Sequence, residues 1–142
     1  MHRYFWISQE LVHQHTMNIK CMQVEQGIFD TVVVGEFELP EAQKQFLELI
    51  YGVVHSGTTK VLVDGRQMTG NPSLFERFLY GTFAALATLD VLHQHNLRLK
   101  FAYVIHAPLR DPDRFGETVA VNRGMDVKTF EEKNEAVAWL NG

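Results

Sequence analysis

Four polar side chains that could carry chemistry stand at the ends of predicted strands. Asp64 ends one apolar segment and Arg66 follows it, while His106 and Glu131 directly follow two later segments. Open α/β sheets take ligands at the carboxyl ends of their strands, so we expect these side chains to line one pocket. Their chemistry suits a polar ligand group, or an ion pair between Arg66 and a nearby carboxylate.

An acid and a histidine in one cleft can do acid–base catalysis, so Asp64 with His106 defines a small hydrolase as one alternative. The sequence has no G-x-S-x-G, no Walker-type loop, no G-x-G-x-x-G and no H-E-x-x-H. No motif for a nucleophile, a phosphate loop or a zinc protease therefore accompanies the pair. We expect Asp64 and Arg66 to maintain structure or a rim ion pair, with no catalytic residue and no cofactor.

Two His-x-His pairs, His13/His15 and His93/His95, raise the possibility of a metal site. Histidines two residues apart share one face of a strand, but on a helix they lie about 200° apart. The second pair falls in the last turn of a predicted helix, where histidine suits the negative end of the helix dipole. We therefore predict solvated histidines and no metal.

Composition limits the class of protein. The chain has 142 residues, one cysteine (Cys21), sixteen aromatic residues and a formal net charge of −4. One packed domain is expected at this length, and a lone cysteine fits the reducing cytoplasm. The acidic balance argues against nucleic acid as a partner, and no apolar run approaches the ~18 residues of a membrane span. Residues 1–16 are interpreted as an N-terminal appendage and residues 17–142 as the domain.

The hydropathy pattern predicts the element order β-β-α-β-α-β-α-β-α. Strands are predicted at 19–25, 28–35, 60–64, 99–105 and 127–130, with helices at 40–56, 72–95, 112–123 and 131–140. Three of the helices are expected to begin at Pro40, at Pro72 capped by Asn71, and at the pair Asp111-Pro112. Strands that alternate with helices form a mostly parallel sheet, and the initial hairpin adds one antiparallel edge.

Several of these segments resemble the SpoIIAA-like group of the STAS domain superfamily. Residues 63–70 read VDGRQMTG, similar to the group's VDxRxxTG stretch. The tail is similar too, in DRFGETVA at 113–120, NRG at 122–124, VKTF at 127–130 and AVAWL at 136–140. The resemblance extends over about residues 18–141. It implies a mixed sheet of four or five strands packed against helices.

The resemblance also implies a function that is not catalytic. STAS domains serve as anti-anti-sigma factors, transporter tails and ligand-sensing or scaffolding modules. In the anti-anti-sigma branch a serine at the start of the second helix is phosphorylated, which makes Ser73 the candidate phosphorylation site. Pro72 stands where that branch has Asp, and Leu74-Phe75 stand where it has Ser-Gly. We therefore predict that Ser73 is not an obligatory phosphorylation switch.

The second helix carries more apolar surface than one sheet contact needs. Leu79, Phe83 and Leu86, with Phe78, span about 140° of its circumference, whereas a stripe of ~100° is enough to cover a sheet. The surplus is explained by flanking helices, a homodimer seam, a protein partner or the wall of a pocket for a small apolar, lipid-like ligand. The predicted binding residues are Leu79, Phe83, Leu86, Asp64, Arg66, Arg114 and Phe115.

From these observations the sequence predicts a cytoplasmic, homodimeric module that regulates by protein–protein contact. A carrier or sensor of a small apolar ligand, and a small hydrolase, are the alternatives.

Overall fold

A computed structural model describes residues 16–142 of the chain. The predicted appendage, apart from Thr16, and the His13/His15 pair lie outside the described residues, so the division at residue 17 stays a prediction. The described elements are β1 Asn18–Glu25, β2 Ile28–Glu36, α1 Leu39–Ser56, β3 Lys60–Thr69, α2 Leu74–His95, β4 Lys100–Val104, α3 Phe115–Asn122, β5 Asp126–Phe130 and α4 Lys133–Asn141.

The strands form one five-stranded sheet in the order β1-β2-β3-β4-β5. β1 and β2 are an antiparallel hairpin, and each later pair is parallel. Each parallel connection passes through a helix, as the alternation of elements in the sequence requires. The predicted α/β class, with its antiparallel hairpin and mostly parallel sheet, is confirmed.

Side chains alternate between the two faces of the sheet, and the faces are covered unequally. Phe29, Val61, Phe101 and Val127 are partners across β2 to β5 and form one apolar row. This row packs in the larger core cluster, whose helical members come from α1, α2 and α3. The opposite face packs against α4 through Ala136 and Leu140 and forms the smaller cluster.

Three predicted boundaries were wrong, each for a local reason. β3 continues past Asp64 to Thr69, because its second half pairs with β2 after a register shift. Ser73, not Asn71, caps α2: its hydroxyl accepts from the Glu76 N–H and the Glu76 carboxylate accepts from the Ser73 N–H. This reciprocal capping box satisfies two otherwise unpaired donors.

The third helix also begins later than predicted, at Phe115. Asp111 still acts at this end, because its carboxylate accepts from the Phe115 N–H at 3.0 Å. That hydrogen bond lowers the pKa of the Asp111 carboxyl. On α1, Phe46, Leu49 and Val53 are buried against the sheet, whereas Leu47 is 51% exposed.

The capping box gives a first testable prediction. Ser73→Ala removes the side-chain acceptor of the Glu76 N–H and is expected to lower the free energy of unfolding by about 1 kcal/mol. Ser73→Asp keeps an acceptor at the same position and should retain most of that stability. Urea denaturation of the three proteins measures the difference. Equal stability of the alanine variant and the parent would show that the cap contributes nothing.

Candidate functional site

A cavity of about 150 Å³ lies between the three-helix face of the sheet and helices α1, α2 and α3. Its wall is mainly apolar, with Val33 and Val63 from the sheet, Phe46 and Leu49 from α1 and Ala84 from α2. The cavity extends towards the carboxyl ends of β3, β4 and β5, where Met68, Ile105 and Thr129 line it. It therefore occupies the region of an open α/β sheet that usually takes ligands.

Two buried polar side chains on the cavity wall have atoms without a hydrogen-bond partner among the described residues. Thr31 is 0% exposed and its Oγ1 is unpaired. Gln45 is 8% exposed; its Nε2 donates to the Met17 carbonyl, which leaves Oε1 as an unpaired acceptor. Buried polar atoms are normally paired, so these two are expected to meet a polar group inside the cavity.

Tyr80 and Tyr103 bring two further hydroxyls to the cavity wall. Their oxygens lie 2.8 Å apart, and Tyr103 is the row partner of Thr129 on β5 and of Val63 on β3. Burial raises the pKa of Tyr80 to about 12 and holds the pKa of Tyr103 well above its ordinary value. Both phenols are therefore neutral, and their mutual bond leaves one O–H free to donate.

A polar margin borders the cavity at β5 and α3. The Glu117 carboxylate accepts from the Thr129 N–H at 2.6 Å and from the Thr129 hydroxyl at 3.1 Å. Arg110 donates to the Thr129 hydroxyl at 3.2 Å and lies 3.5 Å from the Glu131 carboxylate. Arg114, in a left-handed backbone conformation, reaches Glu117 at 4.0 Å. The margin is thus a network of paired charges.

Arg77 holds the neighbouring loop against α2. Its guanidinium donates to the carbonyls of Pro72, Pro108 and Leu109 and to the Asn71 side chain, at 2.7 to 3.3 Å. Arginine has five donors in a rigid fork, so this side chain serves as a structural cross-link. It fixes the segment after β4 at the edge of the cavity.

The four polar residues predicted to share a pocket do not line this cavity. Asp64 and Arg66 pair with each other on the α4 side of the sheet, with Arg66 Nε and Nη2 donating at 2.9 and 2.8 Å. His106 contacts the Glu131 carbonyl at 3.1 Å. No hydrogen bond in the described part of the chain joins Asp64 to His106, so these contacts give no support to an acid–base pair.

The Asp64–Arg66 pair is the predicted rim ion pair, set beside the Asp30–Lys133 pair that ties β2 to α4 at 3.0 Å. Burial alone would raise the pKa of the Asp64 carboxyl, but the hydrogen bonds from Arg66 outweigh it and the pKa is lowered. Asp64 therefore stays ionised near neutral pH and is held by its neighbour.

Of the residues predicted to bind, Arg114 alone is among those that line the cavity. Thr31, Gln45, Tyr80 and Tyr103 were missed. The sequence did carry one signal for Thr31, because it is two residues from both Phe29 and Val33 and so shares their apolar face of β2. No spacing in the sequence indicates that the two tyrosines meet.

Helix α2 separates the cavity from an exposed apolar surface. Its inner side carries the small residues Gly81 and Ala84, which line the cavity. A Cβ at Gly81 would lie only 2.8 Å from the Gly116 carbonyl, so the lack of a side chain at Gly81 allows α3 to pack closely on α2. On its outer side stand four exposed residues, here named the outer strip: Leu74 (63%), Phe75 (68%), Phe78 (36%) and Leu86 (57%).

The predicted centre of the α2 surface is only partly exposed. Leu79 and Phe83 are half-buried, and Phe83 packs edge-to-face on Phe46 with ring centroids 6.5 Å apart. Leu86 belongs to the outer strip. None of these three lines the cavity described above, so a pocket centred on them stays a prediction.

His93 and His95 are exposed in the last turn of α2, as predicted. No group of three or more metal-binding side chains occurs within residues 16–142. No helix in that range is long and apolar enough to cross a membrane.

Comparison with known proteins decides the fold. No family profile matches the sequence, and no curated protein matches it significantly. The crystal structure of an anti-sigma factor antagonist from Mycobacterium paratuberculosis aligns with a TM-score of 0.55 over 89% of this chain and 96% of that chain. The chain has a SpoIIAA-like STAS fold. At 14% identity the likeness establishes the fold, and it confirms the architecture that the sequence motifs implied.

Within the STAS fold, Ser73 occupies the exposed start of α2. Its hydroxyl is already the acceptor of the capping box, and the Glu76 carboxylate lies against its backbone N–H at 3.0 Å. A phosphate here would meet that carboxylate, and like charges at close range repel. The prediction that Ser73 is not an obligatory switch remains a prediction with this geometry behind it.

A second prediction concerns Asp64. Asp64→Asn should lower the free energy of unfolding by about 1 kcal/mol at neutral pH, a figure reduced because Arg66 is partly exposed. The pKa of the Asp64 carboxyl is lower in the folded protein than its ordinary value of 3.8. The ion pair therefore stabilises the fold fully above pH 3.8, and this stabilisation is lost as the pH falls through the lower pKa of the folded state. Denaturation from pH 7 to pH 3 measures this, with Asp126→Asn, at an exposed position of β5, as control. A deficit that grows in acid would contradict the assignment.

Proposed function

We propose that the protein is a non-catalytic, regulatory binding module that acts through protein–protein contacts, and that a second copy of the chain occupies the outer strip of α2. This proposal rests mainly on one observation: Leu74, Phe75, Phe78 and Leu86 are exposed along one side of α2. The STAS fold supports the class, because the solved relative in fold is an anti-sigma factor antagonist, whose name denotes action on another protein.

The chemistry of the outer strip suits an interface core. Between Leu74 and Leu89, the side of α2 that carries the strip has no charged residue, because Glu76 and Arg77 lie about 200° and 300° around the helix from Leu74. Asp90, four residues after Leu86, follows the strip at its carboxyl end. Depletion of charge with enrichment in phenylalanine is the compositional mark of interface centres. Arg123 lies 5.1 Å from the Phe78 ring centroid and places a cation at the edge of the strip.

The size of the strip fits a modest dimer. If a large side chain presents about 200 Å² when fully open, the exposed fractions correspond to roughly 450 Å² of apolar surface. A stable interface buries about 800 Å² from each partner, so the strip supplies the centre and surrounding side chains supply the rest. A two-fold dimer needs one self-complementary patch, and an uncharged apolar strip meets that need without charge repulsion.

The remaining features agree with a regulatory module of the cytoplasm. Cys21 is a free, exposed thiol, which suits a reducing compartment. The net charge of −4 disfavours nucleic acid as the partner. The Asp64 carboxylate is held by Arg66, and His106 contacts the Glu131 carbonyl, so no hydrogen bond among the described residues makes them an acid–base pair.

A third prediction tests the interface. Phe75→Glu combined with Leu86→Glu should convert the dimer to a monomer, because the contact would then bury unpaired like charges. Both positions are exposed within one chain, so the fold should be retained. Light scattering coupled to size exclusion, at roughly micromolar to hundred-micromolar protein, measures the mass over the range expected for such an interface.

Leu47→Glu is the matched control, since Leu47 is an exposed leucine on α1 outside the strip. It should leave the dimer intact. A parent protein that stays monomeric throughout the concentration range contradicts the proposal. So does a control that dissociates the dimer as fully as the strip variant.

A further inference from the structure

We propose that the cavity beneath α2 is a binding site for a small neutral molecule with an apolar body about the size of one aromatic ring and a hydroxyl-type polar group, of which phenol is the simplest example. This site goes beyond the proposed contact function, because it lies on the inner side of α2 and uses residues outside the outer strip.

The volume sets the size of the ligand. A cavity of about 150 Å³ is as large as engineered apolar cavities that admit benzene. Such cavities stay empty of water when their walls carry no polar atoms. This wall, even away from its polar margin, carries the side chains of Thr31, Gln45, Tyr80 and Tyr103. A single ring or a short branched chain fits the space, whereas a long acyl chain exceeds it.

The unpaired atoms on the wall require a ligand with hydrogen-bonding capacity. Oε1 of Gln45 is an acceptor only, and its partner amide is fixed on the Met17 carbonyl, so the ligand must donate to it. Oγ1 of Thr31 can donate or accept. A hydroxyl is the smallest group that can serve either atom, because it both donates and accepts. A purely apolar molecule would leave both atoms unpaired.

The charges near the cavity favour a neutral ligand. The cavity wall away from the margin carries no ionised group, because Tyr80 and Tyr103 stay protonated. At the margin, Arg77 is bound to three carbonyls and a side-chain amide, and Arg114 faces Glu117. Arg110 donates to the Thr129 hydroxyl and lies 3.5 Å from the Glu131 carboxylate. A carboxylate drawn into the cavity would lose its hydration without gaining a free cation, which is costly.

In the first experiment the full chain is titrated with phenol, benzene or benzoate, and binding is measured by calorimetry and by amide NMR. Phenol should bind with a dissociation constant in roughly the millimolar to micromolar range and shift amides of β2, α1 and β4. Benzene should bind more weakly and benzoate at least about tenfold more weakly. Absence of phenol binding, or benzoate binding as tight as phenol, overturns the proposal.

The second experiment separates binding from structure with a matched pair of variants. Thr31→Val and Thr82→Val each remove a buried hydroxyl that has no partner among the described residues, but Thr31 lines the cavity and Thr82 does not. Neither should lower the midpoint of thermal unfolding, because an unsatisfied polar atom is replaced by a methyl group of the same shape.

Thr31→Val should weaken phenol binding about five- to tenfold, while Thr82→Val should leave it unchanged. Equal phenol affinity in the two variants, or a loss in both, overturns the assignment of the site. A Thr31→Val protein with a clearly lowered unfolding midpoint also overturns it, because the hydroxyl would then have a structural partner. The oligomeric state is measured separately, so this outcome leaves the α2 interface untouched.

Discussion

Parallel pairing of β3 with its two neighbours holds Val61 and Val63 towards three helices, and Leu62 and Asp64 towards one. Strand geometry fixes this division, since successive side chains point to opposite faces. The three-helix side then has to be filled by residues from α1, α2 and α3. It is filled completely around Phe101, which is 0% exposed, and incompletely one row further along, where the cavity lies.

The row of side chains beside the cavity is more polar than the row around Phe101. The apolar row contains Phe101, whereas the next contains Thr31, Val63, Tyr103 and Thr129. Hydroxyls on a helix-covered face cost stability unless they are paired. Their presence beside unfilled volume therefore supports the proposed ligand site. α2 is the common wall: its inner residues border this volume and its outer strip faces away from the sheet. A ligand and a partner would therefore contact opposite sides of the same helix.

The order of elements was predictable because short β-branched segments alternate with long amphipathic ones, and the STAS-like motifs agreed with it. Thr69 was not recognised as strand because the second half of β3 is polar and pairs with β2 alone. The pairing of Tyr80 with Tyr103 was beyond prediction, since helix and strand are joined in space by packing and not by any spacing. Leu86 was identified from helical periodicity, but the periodicity of α2 alone could not show that Phe83 is half-buried, because the ring that packs on it, Phe46, belongs to α1.

In the proposed dimer, a second chain covers the outer strip of α2. Isotope-filtered NMR on a mixture of ¹³C-labelled and unlabelled protein tests it directly, because it records contacts between copies alone. The account predicts intermolecular NOEs from the methyl groups of Leu74 and Leu86 to the rings of Phe75 and Phe78. Intermolecular NOEs confined to other surfaces, or none at concentrations where light scattering shows a dimer, would contradict it.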